Sequence, residues 1–589
     1  MQILFLVSAH NSLSQRALIA LTELGHDVAV AVVDSAPSME AAVRVHAPDL
    51  IVCPFLKTLI PESIWERHCC LIVHPGPRGD RGPSSLDWAI ELDKREWGVT
   101  VLQANGEVDA GEVWATSTFT MRPAAKSSLY RHEVRAAAVE AVLDAVDRIV
   151  LVGAARSASA HVASPAARPC LPLMTQQARA IDWTSDRTER VLRKIRAGDG
   201  SPGVLDTIDG KHFHLFGAHP ERTLGGRPGE LLAQRNGAIC RATVDGAVWI
   251  THLKRQGSQN ERHLKLPAAR ALARAGIELD VPEIEIAFDA QIPEGQTYRE
   301  IVYYENAGVG YLRFAFYNGA MSTAQCARLR EAYAHVRAQQ HTRVIVLLGG
   351  DDYFSNGIHL NEIEASDDPA EESWCNLQAI DDLVKDIVET DSHLVISALA
   401  GDAGAGGVPL ALAADYVLAR EDIVLNPYYQ HMGGLYGSEY WTYLLPRRVG
   451  PAAATRLTGA PFRAVGTSEA VKIGLLNAAF GEGLGDFRTR TARFAERIAH
   501  DGLHQPRLQD KRRRRAHDEH AKPLDAYRDE ELAHCHRCFF GADPSYHQAR
   551  RRFVYKLRAP DTASMPRDPG RNAHLPRLQP RSSELQRRT

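Results

Sequence analysis

The chain opens on Met1-Gln-Ile-Leu-Phe-Leu-Val7, an apolar run with the length and composition of a buried parallel strand. Residues 13–24 follow with helical periodicity, and Val28-Ala-Val-Ala-Val-Val33 is a second apolar run. A helix over residues 39–46 and a strand over residues 49–53 continue the alternation. Strands that alternate with helices predict a doubly wound α/β sheet, in which ligands bind at the carboxyl ends of the strands.

The segment after the first strand argues against a dinucleotide site and against a secretory signal. Ser8-Ala-His-Asn-Ser12 stands where a dinucleotide-binding protein carries GxGxxG, so no dinucleotide site is expected. The same segment ends the apolar run too early for a secretory signal, and no basic region precedes it. The nine cysteines are scattered without framework spacing, which is typical of a reducing cytoplasm.

Size and composition predict several domains without a charged or membrane-bound partner. The chain has 589 residues, which is too many for one hydrophobic core. A net charge of −3 gives no general attraction to nucleic acid, and an apolar run long enough to cross a membrane is absent from the sequence. Cys535 and Cys538 form the only CxxC pair, and without a second pair we predict no metal site.

Changes of pattern along the chain divide it into five parts. An Ala-, Ser- and Pro-rich stretch at residues 154–172 reads as a linker, short strands with glycine turns at 204–255 predict a small β-barrel, and βα alternation resumes at Val309. The predicted parts are an α/β domain (1–165), a barrel module (166–275), a connector (276–300), a second α/β domain (301–558) and a disordered tail (559–589).

A first set of catalytic residues follows a strand of the first domain. His74-Pro-Gly-Pro-Arg-Gly-Asp-Arg-Gly-Pro83 comes directly after the apolar Leu71-Ile-Val73, and Asp109 lies in a loop after Val99-Thr-Val-Leu102. An Asp beside a His fixes the tautomer of the ring and raises its basicity, as acyl transfer requires. Taken alone, a histidine at the end of a strand is more often structural than catalytic.

The residues around His74 resemble the folate-dependent formyltransferases over about residues 1–255. That family carries a His before a Pro- and Gly-containing loop, then GVT, then an Asp before a Gly, and Gly98-Val-Thr100 and Asp109-Ala-Gly111 match. The resemblance implies a site for 10-formyltetrahydrofolate. The family has an Asn two residues before the His, and here that residue is Ile72. This departure leaves open another donor, an acceptor other than the usual amine, or a degenerate site.

A second set of motifs predicts an oxyanion site for a thioester. Phe354-Ser-Asn-Gly-Ile358 and Gly404-Ala-Gly-Gly407 offer two backbone N–H groups, those of Ile358 and Gly406, with Ala405 assigned to cofactor binding beside them. The set resembles the crotonase (enoyl-CoA hydratase) superfamily over about residues 309–480. The resemblance implies a crotonase-like ββα spiral domain that binds coenzyme A thioesters.

The acidic residues of an ordinary hydratase are missing from this second region. Hydratases add water with two glutamates, and these positions fall on Pro409 and on or near Tyr429. Tyr429 and Glu439 are instead the polar groups expected near the thioester. A buried glutamate with a raised pKa could exchange a proton with the formyl C–H or the sulfur. The alternative for Glu439 is a charge at the start of a helix.

The order of the domains and three further segments resemble the HypX (HoxX) family of hydrogenase maturation proteins. The segments are Phe316-Tyr-Asn-Gly-Ala-Met321, Gly434-Leu-Tyr-Gly-Ser-Glu-Tyr-Trp441 and Tyr546-His-Gln-Ala-Arg-Arg-Arg-Phe-Val-Tyr-Lys556. The resemblance implies an enzyme that forms CO for the metal centre of [NiFe]-hydrogenase. A formyl group would pass from 10-formyltetrahydrofolate to coenzyme A, and the formyl-CoA would lose CO. An internal tunnel should then join the two sites.

Coenzyme A phosphates need cations, and Arg131 and Arg552 are the residues assigned to them. Asn318 and the loop at Ser201 are assigned to the adenosine or the pantetheine amides. The expected partners are small-molecule substrates, and transient contact with hydrogenase maturation proteins stays open. Two alternatives remain: a formyltransferase that acts on an amine and keeps a vestigial crotonase domain, and a CoA-binding maturation scaffold.

Overall fold

A computed structural model describes residues 1–152, 171–257, 261–459 and 464–557 of the chain. The predicted linker at residues 154–172 falls almost wholly outside these ranges, and the predicted tail at residues 559–589 lies outside them altogether. In the described ranges, none of the helices is both long and apolar enough to cross a membrane.

The first domain is built on a mixed sheet of six strands in the order β2-β1-β3-β4-β5-β6. The strands are β1 (Gln2–Val7), β2 (Asp27–Val32), β3 (Leu50–Cys53), β4 (Cys70–His74), β5 (Glu96–Gln103) and β6 (Val113–Thr120). The first four are parallel, as the alternating pattern predicts, while β5 and β6 run antiparallel and extend the sheet.

Helices cover both faces of this sheet and bury its apolar strands. They are α1 (Ser12–Glu23), α2 (Ala36–His46), α3 (Glu62–Trp65), α4 (Ser85–Glu91), α5 (Lys126–Arg131) and α6 (Glu133–Val152). Asn11 fixes the start of α1, because its side chain accepts a hydrogen bond from the Ser14 N–H. The apolar opening segment is confirmed as a strand, since Leu4, Phe5 and Leu6 are fully buried.

The second module is an antiparallel sheet in the order β7-β8-β11-β10-β9, with β12 paired to β11. Its elements are α7 (Gln176–Arg179), α8 (Thr188–Gly198), β7 (Val204–Ile208), β8 (Lys211–Glu221), β9 (Leu231–Arg235), β10 (Ala238–Ala242), β11 (Ala247–Arg255), β12 (Lys265–Pro267) and α9 (Ala268–Arg274). Asp209-Gly210 and Asn236-Gly237 take the positive φ angles that tight hairpins require. Closure of the predicted barrel between β7 and β9 is not among the strand pairings of the described residues.

The third domain contains two sheets, a larger one in the order β13-β14-β15-β17-β19-β22 and a smaller one in the order β16-β18-β20-β21. The strands are β13 (Ile301–Asn306), β14 (Val309–Phe314), β15 (Val344–Leu348), β16 (Tyr353–Ser355), β17 (Leu394–Leu399), β18 (Asp402–Gly404), β19 (Tyr416–Ala419), β20 (Val424–Asn426), β21 (Val465–Gly466) and β22 (Ala478–Ala479). From β15 to β20, successive strands alternate between the two sheets, which is the arrangement of a crotonase-like spiral.

A short 3-10 turn and eleven helices complete the third domain in the described ranges. They are the turn Tyr317–Gly319 and the helices α10 (Thr323–Arg337), α11 (Leu360–Glu364), α12 (Pro369–Val388), α13 (Gly407–Leu412), α14 (Trp441–Val449), α15 (Pro451–Thr458), α16 (Thr467–Lys472), α17 (Leu484–His500), α18 (His504–Ala521), α19 (Leu524–Phe540) and α20 (Ser545–Tyr555). The predicted connector at residues 276–300 contains none of the named strands or helices.

The first domain packs directly against the smaller sheet of the third. Ile19 of α1 lies in an apolar cluster with Val424 of β20 and Ala464. At the edge of this contact, Arg16 pairs with Asp422 across the two domains. The strands that lead to the two predicted oxyanion amides are therefore part of the sheet that faces the first domain.

Candidate functional site

His74 is the last residue of β4, and its ring lies between two carboxylates. Nε2 is 2.9 Å from Oδ2 of Asp80, and Nδ1 is 3.3 Å from Oδ2 of Asp109. Asp109 has a positive φ of 51° and accepts a hydrogen bond of 3.1 Å from the Gly82 N–H, so its loop is tied to the loop that follows His74. The structure thus brings the predicted pair together.

Asp80 is a part of this site that the sequence analysis missed. Its carboxyl is buried, and the loop leaves room for it only because residue 76 is glycine: a Cβ atom on Gly76 would lie 2.2 Å from Asp80 Oδ2 and 2.5 Å from His74 Nε2. Thr100 holds this turn by donating to the Gly76 carbonyl at 2.8 Å. His74 and Asp109 line the large cavity of the protein, whereas Asp80 is absent from its described lining.

Ile72 stands on β4 where a formyltransferase carries its Asn. The side chain is half-buried and lines the same cavity as His74. Because an isoleucine side chain donates no hydrogen bond, the oxyanion donor of this site has to come from another group or from the substrates themselves.

Two loops of the third domain carry the predicted oxyanion amides and touch each other. Ile358 follows β16, and Gly406 follows β18 and precedes α13. A Cβ atom on Gly357 would lie 3.1 Å from the Gly406 nitrogen, so the loops meet backbone to backbone. In the described ranges, neither the Ile358 nor the Gly406 N–H donates a hydrogen bond to another protein atom. Both amides are therefore available for a carbonyl oxygen.

Glu439 and Tyr429, predicted from the departures of the second motif, lie together next to Gly406. The Tyr429 hydroxyl donates to Glu439 Oε2 at 3.0 Å. A Cβ atom on Gly406 would lie 2.2 Å from Glu439 Oε1, so the carboxyl packs directly on this glycine. Glu439 has a left-handed backbone with a φ of 61° and is 2% exposed. It directly precedes Tyr440, the N-cap of α14, so it is a buried residue at the start of a helix.

Glu439 belongs to a buried group of three carboxyls, the other two of which the sequence analysis did not identify. Asp381 of α12 accepts the Glu439 N–H at 2.8 Å, and Glu531 of α19 accepts the Tyr440 N–H at 2.9 Å. The Ser438 hydroxyl, just before Glu439, donates to Asp381 Oδ2 at 2.7 Å and so links this segment to Asp381 a second time. These contacts hold the strained segment that presents the Glu439 side chain.

Burial keeps these carboxyls close to neutral. Burial, with the charge of Asp381 added to it, raises the pKa of Glu439 to about 8. Burial also raises the pKa of Glu531 to about 8 and that of Asp381 to about 7. Burial and the adjacent Glu439 raise the pKa of Tyr429 well above its usual value. Near neutral pH, Glu439 is therefore a carboxylic acid that can give a proton.

The two hydratase carboxylates are absent from the structure as they are from the sequence. Pro409 lies within α13, and Tyr429 presents a phenol that points to Glu439. In the described ranges, groups of three or more His, Cys, Asp or Glu side chains placed to hold a metal ion are also absent.

One cavity of about 2060 Å³ joins the two sites. His74 and Asp109 line one part of it, and Ile358 and Ala405 line another. Gly406, Tyr429 and Glu439 are not in the lining, so in this state the Glu439 acid lies next to the cavity wall rather than in it. The two sites thus line one cavity, and the internal tunnel expected between them stays a prediction.

Three of the residues predicted to bind the cofactor gather where the domains meet. Arg131 Nη2 is 3.5 Å from Asn318 Oδ1, and both residues line the cavity. Arg131 also donates to the Tyr353 hydroxyl at 2.9 Å. Ser201 lines the same region, and its carbonyl accepts a hydrogen bond of 2.8 Å from Lys126 Nζ.

Arg552 does not join this group. Its guanidinium is 3.4 Å from the Gln548 side chain one turn earlier in α20, and it is absent from the described lining of the cavity. Lys556, just after the same helix, does line the cavity, as does Lys265 of β12. Burial lowers the pKa of Lys265 to about 8. Neither lysine was predicted to bind the cofactor: Lys265 stands in no quoted motif, and in the segment that ends at Lys556 the prediction fell on Arg552 instead.

Comparison with known families matches each part of this architecture. Residues 33–146 match the formyl transferase family, residues 173–264 its C-terminal domain, and residues 305–538 the enoyl-CoA hydratase/isomerase family. Over 226 residues the chain is 24% identical to the methionyl-tRNA formyltransferase of Geobacter metallireducens, covering 38% of this chain and 70% of that protein. The fold and the family matches thus define a formyltransferase-type domain fused to a crotonase-type domain.

Two relatives extend over nearly the whole chain. The chain is 48% identical to the hydrogenase maturation factor HoxX of Bradyrhizobium diazoefficiens USDA 110 over 561 residues, which cover 95% of each protein. It also matches the crystal structure of HypX from Aquifex aeolicus in complex with tetrahydrofolic acid, with a TM-score of 0.89 and 42% identity over 94% of this chain and 96% of that one. The chain belongs to the HypX/HoxX family of hydrogenase maturation factors.

Proposed function

We propose that the chain makes carbon monoxide in two steps. It transfers the formyl group of 10-formyltetrahydrofolate to the thiol of coenzyme A, and it then releases CO from the formyl thioester and returns coenzyme A. The observation that carries this proposal is the shared cavity, which is lined by His74 and Asp109 of one site and by Ile358 and Ala405 of the other. A formyl group can pass from one site to the other within this single cavity.

The residues of the cavity suit both substrates. Its volume of about 2060 Å³ is at least twice that of a typical small-ligand site, as two large molecules require. Lys126, Arg131, Lys265 and Lys556 supply cations for phosphates, and two backbone amides suit a thioester oxygen. The relative from Aquifex aeolicus binds tetrahydrofolic acid, which supports a folate site beside His74 here.

In the first step, a C–S bond forms to the formyl carbon and its bond to the folate nitrogen breaks. His74 takes the proton of the thiol and returns one to that nitrogen. The buried Asp80 orients the ring from behind, while Asp109, on the cavity side, stabilises the imidazolium as it forms. A thiol is more acidic than an amine, so its deprotonation demands less of His74. The oxyanion donor that Ile72 does not supply comes from another group or from the substrates themselves.

In the second step, the C–S bond breaks and the formyl proton moves from carbon to sulfur, so that CO and a thiol result. The N–H groups of Ile358 and Gly406 hold the carbonyl oxygen. Glu439 is neutral near pH 7, and it can protonate the departing sulfur and take up the formyl proton in its place. Tyr429 keeps its hydrogen bond to this carboxyl in both states.

The test is a product assay with the purified full-length chain, 10-formyltetrahydrofolate and coenzyme A. We expect CO, detected by the absorbance of haemoglobin. In Glu439→Gln we expect tetrahydrofolate to form while formyl-CoA accumulates, with CO release slowed roughly 10²–10⁴-fold. Glu482→Gln, at an exposed glutamate, is the matched control.

Other products would separate the alternatives. Formate as the only one-carbon product would overturn the decarbonylation step. Formylation of an added amine in preference to coenzyme A would favour an amine formyltransferase with a vestigial second domain. Binding of coenzyme A without turnover of either substrate would favour a maturation scaffold.

A further inference from the structure

The two strands that lead to the oxyanion amides both start at an aspartate. Asp352 immediately precedes β16, and Asp402 is the first residue of β18. The strands are parallel neighbours, with Tyr353 paired to Asp402, so the two aspartates lie at one edge of the smaller sheet. Ile358 and Gly406 follow the opposite ends of the same strands. A shift of either aspartate along its strand would move the amide beyond it.

Asp402 is held by an arginine of the formyltransferase domain. Nη1 of Arg135, on α6, lies 2.9 Å from each carboxylate oxygen of Asp402. The two side chains are 4% and 11% exposed, so the pair is buried between the domains. Asp402 Oδ1 also accepts the Val424 N–H at 2.9 Å, which joins the ion pair to β20, the next strand of the sheet.

Asp352 is held by the same segment of the formyltransferase domain, one turn earlier. Ser128 donates to Oδ1 at 2.6 Å, Arg131 to Oδ2 at 3.1 Å, and the His132 ring lies 3.1 Å from Oδ1. Burial alone would raise the pKa of Asp352, but the hydrogen bond from His132 and the charge of Arg131 hold it well below the usual value. The carboxylate is therefore an ionised anchor.

The strand starts are packed too tightly for either to move alone. A Cβ atom on Gly401, the residue before Asp402, would lie 2.3 Å from the backbone carbon of Asp352. The two anchors thus form one rigid unit that both domains share.

We propose that residues 128–135 of the formyltransferase domain position the oxyanion site of the crotonase-like domain, with Arg135 as the principal positioning residue. The inference rests on the proposed function in one respect, that Ile358 and Gly406 bind a thioester carbonyl. It adds that this site has its active geometry only while the first domain is docked. Decarbonylation in the third domain would therefore depend on the docked first domain, which supplies the formyl group.

A second contact between the same domains serves as the comparison. Arg16 of α1 pairs with Asp422, but the Asp422 side chain is 54% exposed and starts neither of the two oxyanion strands. Exposed pairs contribute little to stability or geometry, whereas a buried charge left without its partner is costly. Breaking the Arg16 pair should therefore leave the oxyanion amides in place.

The experiment measures the hydrogen bonds at the carbonyl directly, using the full chain and acetyl-CoA labelled with ¹³C at its carbonyl. In the wild type, we expect the infrared C=O stretch of the bound thioester to fall below its value in water. In Arg135→Met, we expect that shift to be lost and CO release from supplied formyl-CoA to slow by about 10- to 100-fold, since small misplacements at a reacting group have effects of this size. Formyl transfer to coenzyme A should change less than about twofold, within the scatter expected of an independent site.

Three further variants make the result decisive. Arg135→Lys should recover both the shift and the rate, because Nη1 alone makes both contacts and an ammonium can replace it. Asp402→Asn removes the charge yet keeps an acceptor for Val424, so it tests the anchor if the Arg135 variant fails to fold. Arg16→Met should behave as the wild type.

Each outcome decides for or against the inference. An unchanged carbonyl shift and CO rate in folded Arg135→Met would overturn it, and so would an equal loss of formyl transfer, which would mean a general structural role. A wild type without a carbonyl shift has no oxyanion site to position and would also overturn it. A wild type that shifts the carbonyl but makes no CO would overturn only the proposed decarbonylation, and the variants would still test the positioning.

Discussion

The His74 site and the Glu439 site both pair an acid–base residue with carboxyl groups, but they differ in where the carboxyls lie. At the first site, Asp109 faces the cavity and Asp80 lies behind the imidazole. At the second, Glu439 packs against Gly406 and is absent from the described lining of the cavity, which includes the loop residues Ile358 and Ala405. The first site thus has its acid–base candidate in the cavity lining, and the second has it next to the cavity.

Burial sets the charge of the carboxyls at the second site. Glu439 has hydrogen bonds from the Tyr429 hydroxyl and the Ser438 N–H, yet burial raises its pKa to about 8. Full desolvation without a paired cation outweighs hydrogen bonds of this kind. A carboxyl beside an imidazole stabilises a positive charge, while a buried carboxyl without a paired cation keeps its proton. The two proposed steps need these two properties in that order.

The largest effect should come from removing the imidazole. We expect His74→Asn to slow formyl transfer to coenzyme A roughly 10²–10⁴-fold, because it removes the group that moves the proton. CO release from supplied formyl-CoA should be unchanged, and this bypass is what separates the two sites. The assay follows tetrahydrofolate and CO in parallel, with His520→Asn, at an exposed histidine of α18, as the control. Equal loss of both activities would mean that the sites are not separate.

A single methyl group added at Gly406 should impair CO release and spare formyl transfer, the reverse of the effect expected for His74→Asn. Gly406 has ordinary helical φ and ψ angles, so alanine fits its backbone, but the new Cβ would lie 2.2 Å from Glu439 Oε1. We expect Gly406→Ala to slow CO release from formyl-CoA roughly 10²–10³-fold, the cost of losing one oxyanion donor. Formyl transfer should persist. Gly485→Ala, where the added Cβ meets nothing within 4 Å, is the matched control. Equal rates of CO release in the two variants would mean that the contact between Gly406 and Glu439 does not matter for this step.

Local signals predicted most of both sites. His74 follows a strand, Ile358 and Gly406 stand in glycine loops, and Glu439 was chosen because the hydratase carboxylates are absent. Such residues can be predicted because each stands in a recognisable motif and also at a strand end or in a loop, where a binding site is expected. Asp80 lies in the same quoted loop as His74, but its role depends on a turn that folds it back onto the ring, and residue spacing does not show that turn.

Long-range contacts account for what the sequence did not reveal. Asp381 accepts the Glu439 N–H from 58 residues away along the chain, and Glu531 accepts the neighbouring Tyr440 N–H from 91 residues away. Neither carboxyl lies in a segment that carries a motif. Arg135 looks like an ordinary helix residue in the sequence, because its contact with Asp402 exists only when the two domains pack together. The same limit applies to the fold, where alternation predicted the parallel strands, while the antiparallel β5 and β6 and the open pairing of the second module depend on contacts across the sheets.

A smaller effect should distinguish the two carboxylates of the first site. We expect Asp80→Asn to slow formyl transfer by about 10- to 100-fold, since a hydrogen bond to a charged group contributes about 1.5–3 kcal/mol. The KM for 10-formyltetrahydrofolate should stay constant, because Asp80 is absent from the described cavity lining. Asp109→Asn, on the cavity side, should change KM as well as kcat. A KM effect in Asp80→Asn of the same size would mean that both carboxylates meet substrate.

The smallest effect is on stability, and it follows from the protonation of Glu439. The folded-state pKa of about 8 lies above the ordinary value of 4.5, so the unfolded chain gives up this proton first as the pH rises. The stabilising contribution of the neutral acid is therefore complete below pH 4.5, declines between pH 4.5 and about 8, and is absent above that. Glutamine has no proton to lose, so Glu439→Gln should melt higher than the wild type at pH 9, by a few degrees, with the difference shrinking toward pH 5. Thermal melts across this range measure it. A constant difference in Tm would mean that Glu439 is ionised in the folded chain, and the second site would then hold a charge as the first one does.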